Sequence, residues 1–231
     1  MKAMVVQQPG PVETAPLRLM ELPAPEPGPG EILIRVEVCG VCRTDLHITE
    51  GELPPHSQPI IPGHEIVGRV VRRGLNAHRF AGGERVGVAW LGGTDGSCAY
   101  CRRGDENLCD SPTFTGYDIP GGYAEYTVAR EDFVYPLPGT VASGEAAPFL
   151  CAGIIGYRAL QRADLPKGGP LGLYGFGASA HILIQIARHQ GNEISSRWHP
   201  GYHAENFPVM TKQDILASYP TIIPQTSKPS E

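Results

Sequence analysis

Six cysteines and eight histidines occur in the 231 residues, and some of them fall at spacings that suit a metal ion. Cys42 opens the run Cys42-Arg43-Thr44-Asp45-Leu46-His47, and His64, within Gly63-His64-Glu65, lies 22 residues after it. Thiolate and imidazole are the donors that a borderline cation such as Zn²⁺ selects. Cys42 sits in a turn just after one strand-like run and His64 just before another, so neighbouring strands could bring the two together. A third donor is available in Cys151, within Phe149-Leu150-Cys151-Ala152-Gly153. Two thiolates would cancel the ion's double charge and leave one coordination position open. The alternative is that both thiols are small buried hydrophobes and His64 a core histidine. Spacing alone does not separate the two.

A second cluster, Cys98-x2-Cys101-x7-Cys109, places three thiols in a glycine-rich loop, which is a zinc spacing. Six cysteines are too few for a disulfide scaffold in a chain of this length. Cys39-Gly40-Val41-Cys42 also spells a redox pattern, but Cys39 ends an alternating strand and reads as structural. A third constellation is Gly175-x-Gly177-x2-Ala180. It follows the apolar run Leu171–Tyr174 and opens a helix with Ile182, Leu183, Ile186 and Ala187 on one face and Gly191 as its cap. In that context the glycines serve a dinucleotide: Gly175 for the tight turn, Gly177 for approach of the pyrophosphate, Ala180 for close helix packing. The acid that would bind the adenine ribose belongs near residue 195. Glu193 is close to that point but is flanked by no apolar strand.

The elements that must position these groups are mostly strands. Glycine (29) and proline (23) are abundant enough to exclude a helical bundle. Residues 1–6, 32–38, 65–73, 85–89, 123–128 and 171–174 read as strands; in the second of these, Ile32, Ile34, Val36 and Val38 share a face. Residues 146–163 carry helix formers interrupted by Pro148 and Gly153, with Ser143 as a cap. Beyond Asn192 no further strand or glycine turn is evident. A net charge of −5 argues against nucleic acid or an anionic membrane as partner. With neither a membrane-length apolar run nor a leader sequence, a cytoplasmic setting is expected.

Three ordered motifs carry a family resemblance: Cys-Arg-Thr-Asp-x-His (42–47), Pro-Gly-His-Glu-x2-Gly (62–68) and Leu-Cys-Ala-Gly-x2-Gly-Tyr (150–157). Together with Gly82-Gly83-Glu84-Arg85-Val86-Gly87, they resemble the zinc-dependent medium-chain alcohol dehydrogenases over residues 1 to about 190. The resemblance implies a mixed α/β fold. Its parts are a GroES-like, mostly β catalytic domain (1–150), a linking helix with the first β-turn-α of a Rossmann domain (151–191), and an atypical, poorly ordered tail (192–231). The nucleotide domain is then C-terminally truncated.

By the same resemblance Cys42, His64 and Cys151 are the catalytic zinc ligands, and Glu65 is an alternate ligand. Asp45 bonds a ligating histidine, Thr44 takes the substrate proton, His47 ends the relay to solvent, and Arg43 meets the cofactor pyrophosphate. Cys98, Cys101 and Cys109 match a structural zinc site whose fourth ligand is cysteine in the family and Asp95 here. An occupied but weaker Asp/Cys3 site is expected; the alternative is an empty loop with three free thiols. The implied cofactors are Zn²⁺ and NAD or NADP. The implied partners are an alcohol, aldehyde or ketone and, with an apolar helix face left uncovered, another copy of the chain. A non-catalytic zinc-binding fragment and a zinc sugar or polyol dehydrogenase are the alternatives.

Overall fold

The computed structural model describes residues 1–54 and 56–197. They divide into two compact units, the first comprising Met1–Leu137 and Ser143–Cys151 and the second Pro138–Ala142 and Ala152 onward.

In the first unit the elements run β1 (Lys2–Val6), β2 (Leu17–Glu21), β3 (Glu31–Cys39), α1 (Arg43–Glu50), β4 (Ile66–Arg73), β5 (Arg85–Val88), β6 (Leu91–Gly93), α2 (Ala99–Arg102), β7 (Thr113–Phe114), β8 (Tyr126–Arg130), β9 (Val134–Pro136) and α3 (Ser143–Ala146). An antiparallel sheet in the order β8-β3-β4-β5-β9 forms the body, with β1-β2 and β6-β7 as separate pairs. Its core is Ile32, Ile34, Ile66, Val70, Val86, Val88 and Val134 with Phe80, Ala77 and Ala129. The alternation read from β3 holds through Val36 and then changes phase. The β3–β4 register shifts between Val36 and Val38, and the residue that next packs on the core is Cys39. One extra residue in a strand moves every later side chain to the opposite face. Cys39 is therefore structural, as expected, and burial pushes its thiol up to about 12.

Helix α1 occupies what the sequence presents only as a turn. Its N-cap is Cys42, whose backbone N–H donates to Asp45 Oδ2 at 2.8 Å, a carboxylate reaching back from the third helical position. Farther along, of the two interruptions foreseen within 146–163 the one at Pro148 is real, whereas Gly153 lies within the continuous helix Ala152–Arg162. A single 3₁₀ turn, Ala147–Leu150, contains Pro148, and Cys151 follows it in a non-helical conformation (φ −126°, ψ −79°). Cys151 thus occupies a break between helical segments, and its side chain is not committed to a helix face.

The second unit contains α4 (Ala152–Arg162), β10 (Pro170–Tyr174), α5 (Ala178–His189) and β11 (Glu193–Arg197). Its core joins Leu160, Leu171, Leu183 and Ala187 to Leu165, Leu173, Ile186 and Ile194. Strand β11 corrects the expectation that nothing regular follows Asn192 and that 192–231 is wholly an atypical tail. It pairs parallel with β10 from Pro170↔Glu193 to Tyr174↔Arg197. With one apolar residue in Glu-Ile-Ser-Ser-Arg it shows no alternation; its pairing with β10 and the packing of the partly buried Ile194 against the core define it. This arrangement also corrects the expected uncovered face on α5, where Leu183, Ile184 and Ala187 are buried. The expectation for residues 198–231 lies outside the described residues.

Candidate metal centre and nucleotide turn

The end of β3, the cap of α1, the start of β4 and the break at Cys151 converge within the first unit. One donor atom each from Cys42, His64, Glu65 and Cys151 lies within 4.8 Å of the other three. The Cys42 and Cys151 sulfurs are 3.8 Å apart. That is far beyond a disulfide bond, and it equals the ~3.8 Å separation of two thiolates each ~2.3 Å from one tetrahedral ion. The donor set therefore fits zinc on geometry as well as on chemistry.

Asp45 fixes the imidazole. Its Oδ1 accepts from His64 Nδ1 and from Gly63 N, each at 3.0 Å, while Oδ2 accepts from Cys42 N. Asp45 is 2 % exposed and His64 1 % exposed. With Nδ1 committed as donor, Nε2 is left to carry the ligating lone pair. Gly63 turns the chain into His64 at φ +100°, where a Cβ would also lie 2.6 Å from Tyr123 and 2.8 Å from Cys39 Sγ. A Cβ at Gly40 would lie 2.0 Å from Glu65 Oε2, so the absence of a side chain there makes room for that carboxylate.

The electrostatics suit a site that holds a dication. Hydrogen bonds from Cys151 and then His64 draw Cys42 down to about 3. The bond to Cys42, reinforced by burial, drives Cys151 upward. Burial opposes charge on His64, but Asp45 and Cys42 outweigh it and raise it to about 9. Burial raises Glu65 to about 7.

Thr44 and His47 stand three residues apart on α1, and Thr44 Oγ1 is 3.8 Å from Cys42 Sγ. His47 Nδ1 is bonded to Glu52, a partner the sequence reading missed. Trp90 is a second omission. Its ring meets His64 edge-on at 4.9 Å and stacks on Phe114 at 4.8 Å. Neither contact follows a fixed spacing along the chain, so no motif reports them.

Asp95, Cys98, Cys101 and Cys109 form the second group of donors, again within 4.8 Å of one another. Asp95 Oδ1 accepts from Ser97 N (2.7 Å) and Cys98 N (2.8 Å), and these bonds hold its carboxyl well below the usual range. The backbone N–H groups of Asp95 and Ser111 both point at Cys109 Sγ, each at 3.4 Å. Three sulfurs and a carboxylate oxygen so close together give this loop too a donor set that would suit a cation.

In the second unit, β10 runs into Gly175 at φ +89° and Gly177 caps α5. A Cβ at either glycine would meet nothing within 4 Å, so packing does not require them. Gly177 has no side chain with which to cap α5, on whose first turn Ala180 lies. The first backbone amides of a helix that starts beside a glycine turn are the groups that suit a phosphate.

A β-rich unit gathering a Cys–His–Cys centre, followed by a strand–glycine turn–helix–strand unit, defines the architecture of a medium-chain dehydrogenase. Residues 28–139 match the alcohol dehydrogenase GroES-like domain, and the chain is similar to the zinc-type alcohol dehydrogenases. It is 54% identical over 199 residues to the "Probable alcohol dehydrogenase AdhA" of Mycobacterium tuberculosis, covering 84% of this chain and 58% of that protein. It is 42% identical over 182 residues to an alcohol dehydrogenase of Rhizobium meliloti, covering 78% of this chain and 54% of that one. Among solved structures, the cobalt- and zinc-bound thermostable alcohol dehydrogenase of Pyrobaculum aerophilum has a TM-score of 0.78 at 29% identity, covering 85% of this chain and 59% of that one. Acetophenone reductase of Geotrichum candidum in complex with NAD has a TM-score of 0.74 at 33% identity, covering 84% and 57%. The chain thus spans little more than half the length of these relatives. Among the described residues, no helix is long and apolar enough to cross a membrane.

Proposed function

We propose that this chain carries the catalytic centre of an alcohol dehydrogenase, with NAD or NADP as redox partner and an alcohol, aldehyde or ketone as substrate. The observation that carries it is the convergence of Cys42, His64 and Cys151 with Asp45 locked behind the imidazole. Cys42, His64 and Cys151 would hold the catalytic zinc, with Glu65 as alternate ligand. Asp95, Cys98, Cys101 and Cys109 would hold the second ion.

When bound, zinc supplies a Lewis acid that makes a substrate hydroxyl acidic, and the nicotinamide supplies the hydride acceptor. The protein's part is positioning and proton handling. Asp45 keeps His64 in one tautomer, and Cys42 and Cys151 would bind a dication as thiolates. Thr44, beside Cys42, presents a hydroxyl that accepts the substrate's proton. His47, whose side chain is 36 % exposed and bonded to Glu52, holds a proton at the solvent edge. Arg43, at the exposed first turn of α1, offers a guanidinium for a pyrophosphate. Gly175, Gly177 and Ala180 shape the turn that would seat the same group.

The test is hydride transfer. Zinc-replete protein is mixed with NAD or NADP and a panel of alcohols, and reduced-nicotinamide absorbance is followed. Turnover that disappears in Cys42→Ser is the expected result. A second reading is favoured by the chain's share of its relatives' length, namely a zinc-binding unit without turnover of its own. Stoichiometric zinc with no absorbance change for any alcohol would establish that second reading and overturn the first.

A further inference from the structure

His56 belongs to neither group of metal donors, yet both of its ring nitrogens are engaged. Nδ1 lies 2.6 Å from Asp118 Oδ1, and Nε2 lies 3.1 Å from the Tyr117 hydroxyl. That hydroxyl is in turn 2.9 Å from the carbonyl oxygen of Pro54. His56 and Pro54 lie between α1 and β4, whereas Tyr117 and Asp118 lie in the turn after β7. Three bonds therefore tie one loop to another. Asp118 is itself anchored, because its Oδ2 accepts from Phe114 N at 2.7 Å.

Counting protons shows what this tie requires. A carboxylate and a carbonyl can only accept, so Nδ1 must donate to Asp118 and the Tyr117 O–H must donate to Pro54. A phenol has a single proton, and with it spent on Pro54 the oxygen can only accept from Nε2. All three bonds coexist only when both ring nitrogens carry hydrogen, that is, when His56 is an imidazolium. After loss of one proton the carboxylate keeps the remaining one on Nδ1. Nε2 then becomes an acceptor, and the Tyr117 O–H can serve it or Pro54 but not both.

The tie bears on the candidate metal centre. Tyr117 is buried in a cluster with Val6, Ile48 and Ile60, against which Leu53 and Trp90 pack. Its ring lies 4.6 Å from that of His56 and stacks on Trp90 at 6.0 Å, and Trp90 meets His64. The titratable groups bonded to His56 are Asp118 and Tyr117, both from the facing turn; in its own loop, Glu52 is turned to His47. We propose that His56 is a proton-operated latch. As an imidazolium it leaves the Tyr117 hydroxyl on Pro54 and fastens that loop to the Tyr117–Asp118 turn. On deprotonation the hydroxyl moves from Pro54 to His56, and the loop loosens beside the aromatic residues that meet His64. Imidazole changes charge between about pH 5 and 8, so the latch works across the physiological range. The inference goes beyond the catalytic reading and needs no turnover.

The test uses the full, zinc-replete chain with isotope-labelled histidine, compared at about pH 5.5 and about pH 8.5, on either side of the imidazole range. Long-range proton–nitrogen NMR reads His56 directly. Both nitrogens are expected to carry hydrogen at the lower pH, and Nδ1 alone at the higher. Exchange of the Leu53 amide, which donates to His47 O at 3.1 Å beside Pro54, reads the loop. Corrected for intrinsic chemistry, its protection should fall about two- to tenfold from the lower to the higher pH, the worth of one hydrogen bond. In His56→Gln the fall should vanish, because the hydroxyl then keeps Pro54 at every pH. In Tyr117→Phe it should vanish because Pro54 has lost its donor. Should the buried Tyr117→Phe fold poorly, the exposed His56→Gln and the wild-type spectra decide. A neutral His56 protonated on Nε2 would overturn the inference. So would Leu53 protection independent of pH in the wild type, or a fall undiminished in His56→Gln.

Discussion

Asp45→Asn isolates one carboxylate that serves three donors. The substitution keeps size and shape but replaces one acceptor oxygen with an NH2 group. Oδ1 receives Gly63 N and His64 Nδ1, and Oδ2 receives Cys42 N. The amide will settle with its oxygen toward the pair, because that orientation sacrifices one hydrogen bond rather than two. Its NH2 then faces the Cys42 N–H, and a buried unpaired donor costs about 1–3 kcal/mol. The helix cap is lost together with the negative charge behind the imidazole. Weakening a carboxylate behind a ligating histidine typically costs about 10- to 100-fold in metal affinity. The assay is competition for zinc against a chromophoric chelator, run beside chemical denaturation of the same preparations. The expected result is weaker retention of one of two zinc ions by that factor, with a lowered unfolding midpoint. Zinc affinity within twofold of wild type, in a protein whose denaturation curve is unchanged, would refute the assignment of Asp45 as the residue that holds the site in shape.

Three further outcomes follow from the same structure. Ile34→Ala removes a side chain with no exposed surface at the centre of the β3–β4 pairing, and should lower unfolding free energy by about 2–5 kcal/mol in urea titrations. Asp95→Ala deletes both a candidate ligand and the acceptor for two backbone amides; dialysis against a chelator should reduce zinc content from two ions to one while Cys42→Ser loses the other. Glu37 is held below its ordinary value of 4.5 by the Ser143 hydroxyl and, against some burial, by Arg69. A lowered carboxylate stabilises the fold above its ordinary value and stops doing so as pH falls through the folded one. The stability difference between wild type and Glu37→Gln should therefore narrow between about pH 5 and 3, and be less than ~1 kcal/mol at neutral pH because the pair is partly exposed.

The parts of the molecule that sequence reveals are those whose physics is local. Ile34 and Val36 alternate with Arg35 and Glu37 because one face of that stretch of β3 packs on the core, and the strand is visible for that reason. The phase change that brings Cys39 inward is invisible, because a register shift is a relation between two strands. Helix α1 is obscured by its cap: cysteine stands where serine or aspartate usually announces a helix start. The role of Asp45 was legible through the resemblance of the hexapeptide 42–47, whereas Glu52 and Trp90 touch the site through space and carry no signature. β11 is the clearest case of structure exceeding pattern. Four of its five residues are polar, and its alignment is dictated by a partner strand 23 residues earlier.

The contact between Cys42 and Cys151 spans 109 residues. On a ribosome adding ~5–20 residues per second, Cys151 is synthesised roughly 4–17 s after His64. Throughout that interval Cys42 and His64 exist without the sulfur that completes their donor set. A cation caught early is held by an incomplete cage, and full retention begins only once nearly the whole first unit has left the exit tunnel. This candidate metal centre is therefore completed only after most of the first unit has been synthesised. The Cys98–Cys109 loop, whose ligands arise within a few seconds of one another, can be charged well before it.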